Sequence, residues 1–333
     1  MKNNIAVVCG GYSEEAQISM KSADNIIDHL SAEQYNIYKV IITKEQWEVY
    51  RGDSKGQLDR ADFTATFDHD LISFDLVFMA IHGTPGEDGV LQGYFDLLRI
   101  PYTTPSQSMS ALTFNKWCTN TMFKQIGVKS AKAILINRPT DLQLQTVTKE
   151  LGYPCFVKPN DGGSSFGVSK VKEEGALKKA VEEAFRHGNQ VIIEEFLQGR
   201  EVSCGIFRDE DAVRVIGITE IISDNEFFDF NAKYLGESKE ITPAQIPEND
   251  AQQIRDITTL VYETLNLQGI ARVDFIIQDD IPYMIEVNSV PGMSKASIIP
   301  QQAEAVGISM SVLLKKVIDQ TLNNLPISKR KNT

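Results

Sequence analysis

Four polar residues near the C-terminus sit where they could share one chemical task. Arg272 and Asp274 lie on a strand-like stretch over 270–277, and Glu286 and Asn288 on another over 281–287. Gln278-Asp279-Asp280 forms a short turn between them. Alternate side chains of a strand share a face, so Arg272 and Asp274 point one way, as do Glu286 and Asn288. If the stretches pair as a hairpin, two carboxylates and an amide oxygen converge. That is a hard-oxygen donor set suited to Mg²⁺ shared with phosphates. Arg272 would add positive charge where negative charge develops. The alternative is a surface hairpin with solvated charges, against which Val273, Phe275, Ile285 and Val287 supply a face that must be buried.

A second group surrounds a glycine-rich loop. Lys158-Pro159 ends an apolar stretch and leads into Asn160-Asp161-Gly162-Gly163-Ser164-Ser165-Phe166-Gly167. Such a loop can turn backbone N–H groups toward an anion, with Ser164 and Ser165 as hydroxyl donors and Lys158 as a fixed cation. It lacks the Gly-Lys-Ser/Thr of a P-loop, and a flexible hairpin turn is the competing reading. Glu194 and Glu195 end the stretch 191–197, and Glu201 follows a turn; acids so placed can accept from an adenine amino group or ribose hydroxyls, or simply be solvated. Near the N-terminus, Gly10-Gly11 through Glu15 and His82-Gly83 through Gly89 each follow a strand-like run. Loops at the carboxyl ends of parallel strands are where α/β units place ligands. His82 reads equally as structural or functional.

The elements that must hold these residues follow from hydrophobic periodicity. Continuous apolar runs over 5–9 and 75–82, a strand candidate over 35–43 and helical spacing at Ala23, Ile26, Ile27 and Leu30 predict a parallel α/β unit over 1–103. Helices over 109–126, 141–151 and 173–186, with strands over 131–136, 155–159, 168–171 and 191–197, predict a small α+β unit over 104–195. The remainder, 196–333, is strand-rich, with antiparallel neighbours over 201–207 and 213–222, a helix over 250–266, the hairpin and a closing helix over 306–322. The stretch 223–240 is long, polar and aromatic, and loops of that length are usually functional or disordered.

Composition narrows the function classes. The 333 residues are enough for about two or three domains. A formal net charge of −12 disfavours nucleic acid and anionic membrane as partners. The basic run Lys329-Arg330-Lys331 reads as a solvated tail. Cys9, Cys118, Cys155 and Cys204 show no metal-ligand spacing and read as buried free thiols in a reducing compartment. No signal-like or membrane-length segment is evident, so a cytoplasmic location is expected.

Taken in order along the chain, five segments resemble the D-alanine–D-alanine ligases of the ATP-grasp superfamily, over nearly the whole length. They are Gly10-Gly11 through Glu15 to Ser19, His82-Gly83 through Gly86-Glu87-Asp88-Gly89 to Gln92-Gly93, Lys158-Pro159 through Gly163-Ser164-Ser165 to Gly167, Lys233-Tyr234, and Arg272-Val273-Asp274 through Glu286-Val287-Asn288 to Pro291-Gly292-Met293.

The resemblance implies an α/β, three-unit ATP-grasp fold. An N-terminal parallel α/β domain precedes two α+β units that clamp ATP, and 223–240 acts as a lid. It implies ligation of two D-alanines through an acyl phosphate, for peptidoglycan precursor synthesis, in a cytoplasmic homodimer. By motif position, Glu15 resembles the acid that holds the first amino acid's ammonium, and Ser164 and Tyr234 its companions. His82 lies where the family contacts that substrate. Lys116, Lys158, Ser165 and Lys233 match ATP-phosphate positions, while Glu194, Leu197 and Glu201 match adenine and ribose positions. Asp274, Glu286 and Asn288 match ligands of two Mg²⁺ ions, which Mn²⁺ can replace. Arg272 and the Gly292 N–H resemble the oxyanion stabilisers, and Ser297 the contact to the second carboxylate.

Two departures are visible: Asp161-Gly162-Gly163 precedes the loop serines, and Phe196 and Phe230 replace larger or hydroxylated aromatics. Three other readings compete. An ATP-grasp ligase with another acceptor should lack the His82 segment and the Glu15, Ser164 and Tyr234 set. A non-catalytic nucleotide sensor should have lost one of Arg272, Asp274, Glu286 or Asn288. A dehydrogenase should carry the G-x-G-x-x-G that is absent after the first strand.

Overall fold

A computed structural model describes residues 2–163, 166–210, 212–223 and 238–324. The first strand, β1 (Asn3–Gly10), pairs in parallel with β2 (Tyr35–Ile42) and β7 (Leu76–Met79). Its side chains alternate. Ile5, Val7 and Cys9 pack with Ala23 and Ile26 of α1 (Ala16–His29). Ala6 and Val8 pack in the opposite core with Leu91 and Phe95 of α2 (Val90–Leu98). Coverage of both faces explains the unbroken apolar run.

The sheet is not wholly parallel. Between β2 and β7 the chain adds β3 (Trp47–Arg51), β4 (Ser54–Asp59), β5 (Thr64–Phe67) and β6 (Asp70–Ser73), giving the order β6-β5-β4-β3-β2-β1-β7. These four are antiparallel because their connections are too short for a crossover.

The stretch predicted as one helix over 109–126 is two: α3 (Gln107–Phe114) and α4 (Lys116–Lys124). The break is Asn115, whose extended backbone (φ −94°, ψ 103°) lets its side chain accept from the Cys118 N–H at 2.9 Å. Asparagine prefers such a capping role to a helix interior.

The second sheet has the order β10-β9-β11-β8, from β8 (Ala133–Ile136), β9 (Cys155–Pro159), β10 (Ser169–Val171) and β11 (Val191–Glu195), all antiparallel. Helices α5 (Leu144–Glu150) and α6 (Glu174–Ala184) complete its core with Val147, Leu177 and Val181.

The third sheet has the order β14-β13-β12-β15-β16, from β12 (Arg200–Asp209), β13 (Ala212–Ser223), β14 (Ser238–Ile241), β15 (Ile270–Gln278) and β16 (Ile281–Asn288). One core joins it to α7 (Glu248–Thr264) through Ile254, Val261 and Tyr262, and includes Phe123 of α4. The expected closing helix is α9 (Met310–Asn323), preceded by a separate short helix α8 (Ile298–Ala305) that the sequence did not lead us to expect. Leu313, Leu314, Val317 and Ile318 of α9 share a core with β1 and α1, so the C-terminal helix finishes the N-terminal sheet. Most of the expected lid and the basic tail lie outside the described residues.

Candidate active site

The C-terminal hairpin turns through Asp279 and Asp280, both with positive φ (53° and 59°), the conformation of a tight two-residue hairpin turn. From the turn the ladder runs regularly to Phe275↔Met284, then shifts, so that Asp274 faces Glu286 and Arg272 faces Asn288. The extra residue is a β-bulge. It reverses the strand's alternation: Met284 stays in the core with Phe275, while Glu286 and Asn288 turn to the opposite face with Asp274. Ile285, expected on the buried face, instead lines a cavity.

Asp274 is buried and held on several sides. Arg272 donates to both of its oxygens at 2.8 and 2.7 Å, Ser203 Oγ donates at 2.6 Å and Asn288 Nδ2 at 2.9 Å. The cavity in front of this hairpin has a volume of about 590 Å³ and lies between the second and third sheets. Lys116, Lys158, Glu194, Leu197, Glu201, Asp274 and Glu286 all line it. Cations and acids are paired across it. Lys116 Nζ lies 3.2 Å from Glu286 Oε2 and donates to the Gly162 carbonyl at 2.7 Å, while Lys158 Nζ lies 2.6 Å from Glu194 Oε2. Glu194 Oε1 is buried without a hydrogen-bond partner among the described residues, an acceptor left over at the cavity wall. Beside it, the Phe156 and Phe196 rings pack at 5.9 Å, with Lys170 Nζ 4.1 Å from the centre of Phe196. A cavity with an aromatic wall, a spare acceptor and two lysines near a carboxylate pair can take a nucleoside triphosphate.

The root of the glycine loop is fastened to the start of α4. The Trp117 N–H donates to Asn160 Oδ1 at 2.9 Å, and Asn115 Nδ2 donates to Asp161 Oδ1 at 3.2 Å. These bonds bring Lys116 over the loop. Burial raises the Asp161 carboxyl above its ordinary value, against the opposing pull of Lys116. The loop also reaches the first sheet: a Cβ on Gly163 would stand 2.6 Å from Glu15 Oε2, so only glycine admits this approach. Glu15 and the loop thus meet. Ser164, Ser165, Lys233 and Tyr234 lie outside the described residues.

His82 is buried at the end of the β7 run. Its Nδ1 is 2.8 Å from the Val290 carbonyl, which can only accept, so Nδ1 carries the proton and Nε2 accepts from Ser22 Oγ at 3.1 Å. Burial lowers its pKa, outweighing the nearby negative charge of Glu15. Glu87 accepts from the Gly83 N–H at 2.8 Å and the Val290 N–H at 3.0 Å. Burial, reinforced by Glu15, pushes it up to about 8. The Met293 N–H donates to Ser22 Oγ at 3.1 Å, and Asn25 Nδ2 donates to the Met293 carbonyl at 2.7 Å. Together these groups fix the loop over 289–293, which contains Gly292, to the N-terminal sheet and α1. Ser297 is the N-cap of α8, and its Oγ lies 2.8 Å from Ser294 Oγ.

Sequence reasoning did not single out Ser22, Asn25 or Ser203, and it named Glu87 within a segment without giving it a role. Ser22 was findable: it falls in the stripe of Ser19, Ala23 and Ile26 on the buried side of α1, and a polar residue there needs a bonding partner. Cys118 was expected to be buried and is exposed, because it sits on the outer side of the first turn of α4; Cys9, Cys155 and Cys204 are buried, and all four are free. Among the described residues no helix is long and apolar enough to cross a membrane, and no three His, Cys, Asp or Glu side chains form a metal cluster.

Comparison with known proteins agrees with this geometry. Residues 4–105 match the family described as "D-ala D-ala ligase N-terminus", and residues 122–319 match "D-ala D-ala ligase C-terminus". The D-alanine–D-alanine ligase of Flavobacterium johnsoniae is 45% identical over 320 residues, covering 96% of this chain and 99% of the relative. Among solved structures, the VanG D-Ala:D-Ser ligase from Enterococcus faecalis is 30% identical with a TM-score of 0.87, covering 96% of this chain and 100% of that one. The Bacillus anthracis D-alanine–D-alanine ligase complexed with ATP is 29% identical with a TM-score of 0.77, covering 96% and 98%. The fold these relatives share is the ATP-grasp fold, and the chain belongs to the D-alanine–D-alanine ligase family.

Proposed function

We propose that this chain joins two molecules of D-alanine into D-alanyl-D-alanine, using ATP and releasing ADP and phosphate, as a step of peptidoglycan precursor synthesis. The observation that carries this reading is the cavity between the second and third sheets. It gathers Lys116, Lys158, Glu194, Glu201, Asp274 and Glu286, while the glycine loop at its edge reaches Glu15. A carboxylate oxygen of the first D-alanine attacks the γ-phosphorus, and the bond to ADP breaks. The amine of the second D-alanine attacks the resulting acyl carbon, the bond to phosphate breaks, and the ammonium proton is lost. A carboxylate alone is a poor acylating agent, and phosphate supplies its leaving group.

In this reading Lys116, Lys158, Ser165 and Lys233 bind the phosphates, and Glu194, Leu197 and Glu201 hold adenine and ribose. Glu15 holds the first ammonium, with Ser164 and Tyr234 beside it, and His82 lies next to that substrate. Arg272 and the Gly292 N–H stabilise the tetrahedral oxyanion. Ser297 receives the second carboxylate. Asp274, Glu286 and Asn288 offer two carboxylates and an amide on one face of the hairpin, an oxygen set that fits Mg²⁺ or Mn²⁺. Bound there, two such ions would offset the charge of the transferring phosphate. The units 1–103, 104–195 and 196–333 then serve as substrate platform, nucleotide clamp and metal-bearing half, with 223–240 as the lid. We further assign a cytoplasmic homodimer. The hydroxyl of Tyr234 favours an amine over a hydroxy acid as acceptor.

The test is product analysis after incubation with ATP, Mg²⁺ and D-alanine, with L-alanine, D-serine and D-lactate in parallel. The expected outcome is D-alanyl-D-alanine with one phosphate released per peptide. Phosphate release without dipeptide, or turnover only with another acceptor, overturns the substrate assignment.

A further inference from the structure

Behind Ser297 the third sheet has a hole. Gly205 of β12 and Gly217 of β13 are direct neighbours in the ladder, and the register shifts just after Gly205. With no Cβ on either residue, the sheet face is open there, and the side chain of Gln302 from α8 fills it. A Cβ on Gly205 would lie 2.2 Å from Gln302 Oε1, and one on Gly217 would lie 3.3 Å from Gln302 Cβ.

Gln302 is fully buried. Its Nε2 donates to the Ser203 carbonyl at 2.9 Å and to Thr219 Oγ1 at 3.1 Å. Its Oε1 has no partner among the described residues. Leaving a buried amide oxygen unpaired is unfavourable, and a core of apolar residues would have avoided it. The amide therefore has a task other than filling space. Its two acceptors lie on adjacent strands, and one belongs to Ser203, whose hydroxyl holds Asp274. Gln301 adds a lateral tie from α8 to Glu240 of β14 at 2.6 Å.

We propose that Gln302 is a positioning residue for the acceptor amino acid. By plugging the Gly205–Gly217 socket it fixes the height and rotation of α8, and so sets Ser297 relative to the Arg272–Asp274 strand. The inference rests on the reading that Ser297 receives the second carboxylate. The plug references the acceptor site to the same backbone segment that orients Asp274, so the attacking amine and the phosphorylated centre share one datum.

The test uses two substitutions on different elements, Gln302→Met and Gly205→Ala. The first keeps the side-chain volume and removes the donor; the second closes the socket from the opposite side. Steady-state rates against D-alanine separate the two KM values, and positional exchange of ¹⁸O in ATP at low D-alanine reports phosphorylation of the first amino acid alone. Both variants should raise the KM of the acceptor site roughly tenfold, as expected for a small displacement of a substrate-holding group. The KM for ATP, the donor-site KM and isotope exchange should stay within about twofold. A uniform rise of all KM values, a fall in isotope exchange equal to that in dipeptide synthesis, or a lowered melting temperature with unchanged kinetics would each reduce Gln302 to a packing residue. Failure of the parent reading is recognised separately, because the unsubstituted chain would then form no dipeptide.

Discussion

Glu87 illustrates how much a single buried carboxyl can govern. It holds the Gly83 and Val290 N–H groups together, yet its pKa stands near 8, far above an ordinary 4.5. The folded state therefore keeps a proton that the unfolded chain releases over this interval. The contribution is fully present below about pH 4.5 and is lost as pH rises through about 8. Replacing Glu87 with Gln removes the titration. In urea melts, the stability of the parent chain relative to Glu87→Gln should fall from about pH 5 to 8 by as much as a few kcal/mol, and level off above. A difference independent of pH would mean that the two N–H donors keep Glu87 ionised throughout. Burial lowers His82, so its own contribution rises with pH, but it is common to both chains and cancels in the difference.

At the scale of elements, the loop over 289–293 depends on α1. Ser22 accepts from the Met293 N–H and donates to His82 Nε2, all out of water. Ser22→Ala leaves a buried donor and a buried acceptor unpaired, which costs about 1–3 kcal/mol per group. We expect that range of destabilisation in urea titrations, with a lowered turnover because Gly292 is no longer held; unchanged stability would place a substitute hydrogen bond there. The hairpin shows what was legible and what was not. Alternation along the two stretches correctly grouped Arg272 with Asp274, and Glu286 with Asn288. The bulge was invisible, because Met284 and Glu286 have the spacing of one face and only the pairing reveals that they point oppositely. Likewise Asn115 breaks a periodic pattern that extends unbroken through it, and α8 is too short to establish a period of its own. The strands β3 to β6 are short and mixed in composition, and gave no clear alternation to read.

Across the whole molecule, sequence distance and spatial grouping part company. The first sheet was legible as an α/β unit from β1, α1 and β7, but part of what covers one of its faces comes from α9. No periodicity within 1–103 can announce a partner more than two hundred residues away. Truncation after Gly307 should therefore expose Ile5, Val7 and Ile26 and abolish the cooperative melt of the entire chain, not only of its C-terminal half. Circular dichroism would detect it. A truncated chain that still melts cooperatively with an intact β1 would show that α1 suffices. The glycine-rich loops that carry Glu15 and His82 were legible, whereas the groups that anchor them were not, since anchoring is a property of contacts and leaves no local signature.

The unequal joining of the three sheets has a mechanical corollary. The first and third are welded, by α9 through a common core and by the four bonds that pin the loop over 289–293. The second keeps a private core drawn wholly from residues 134–193 and meets the rest through polar ties such as Asn115 to Asp161 and Lys116 to Gly162. Any opening that admits a nucleotide must then run along that polar seam. The first and third sheets thus form one body, and the second is a separate body joined to it along that seam.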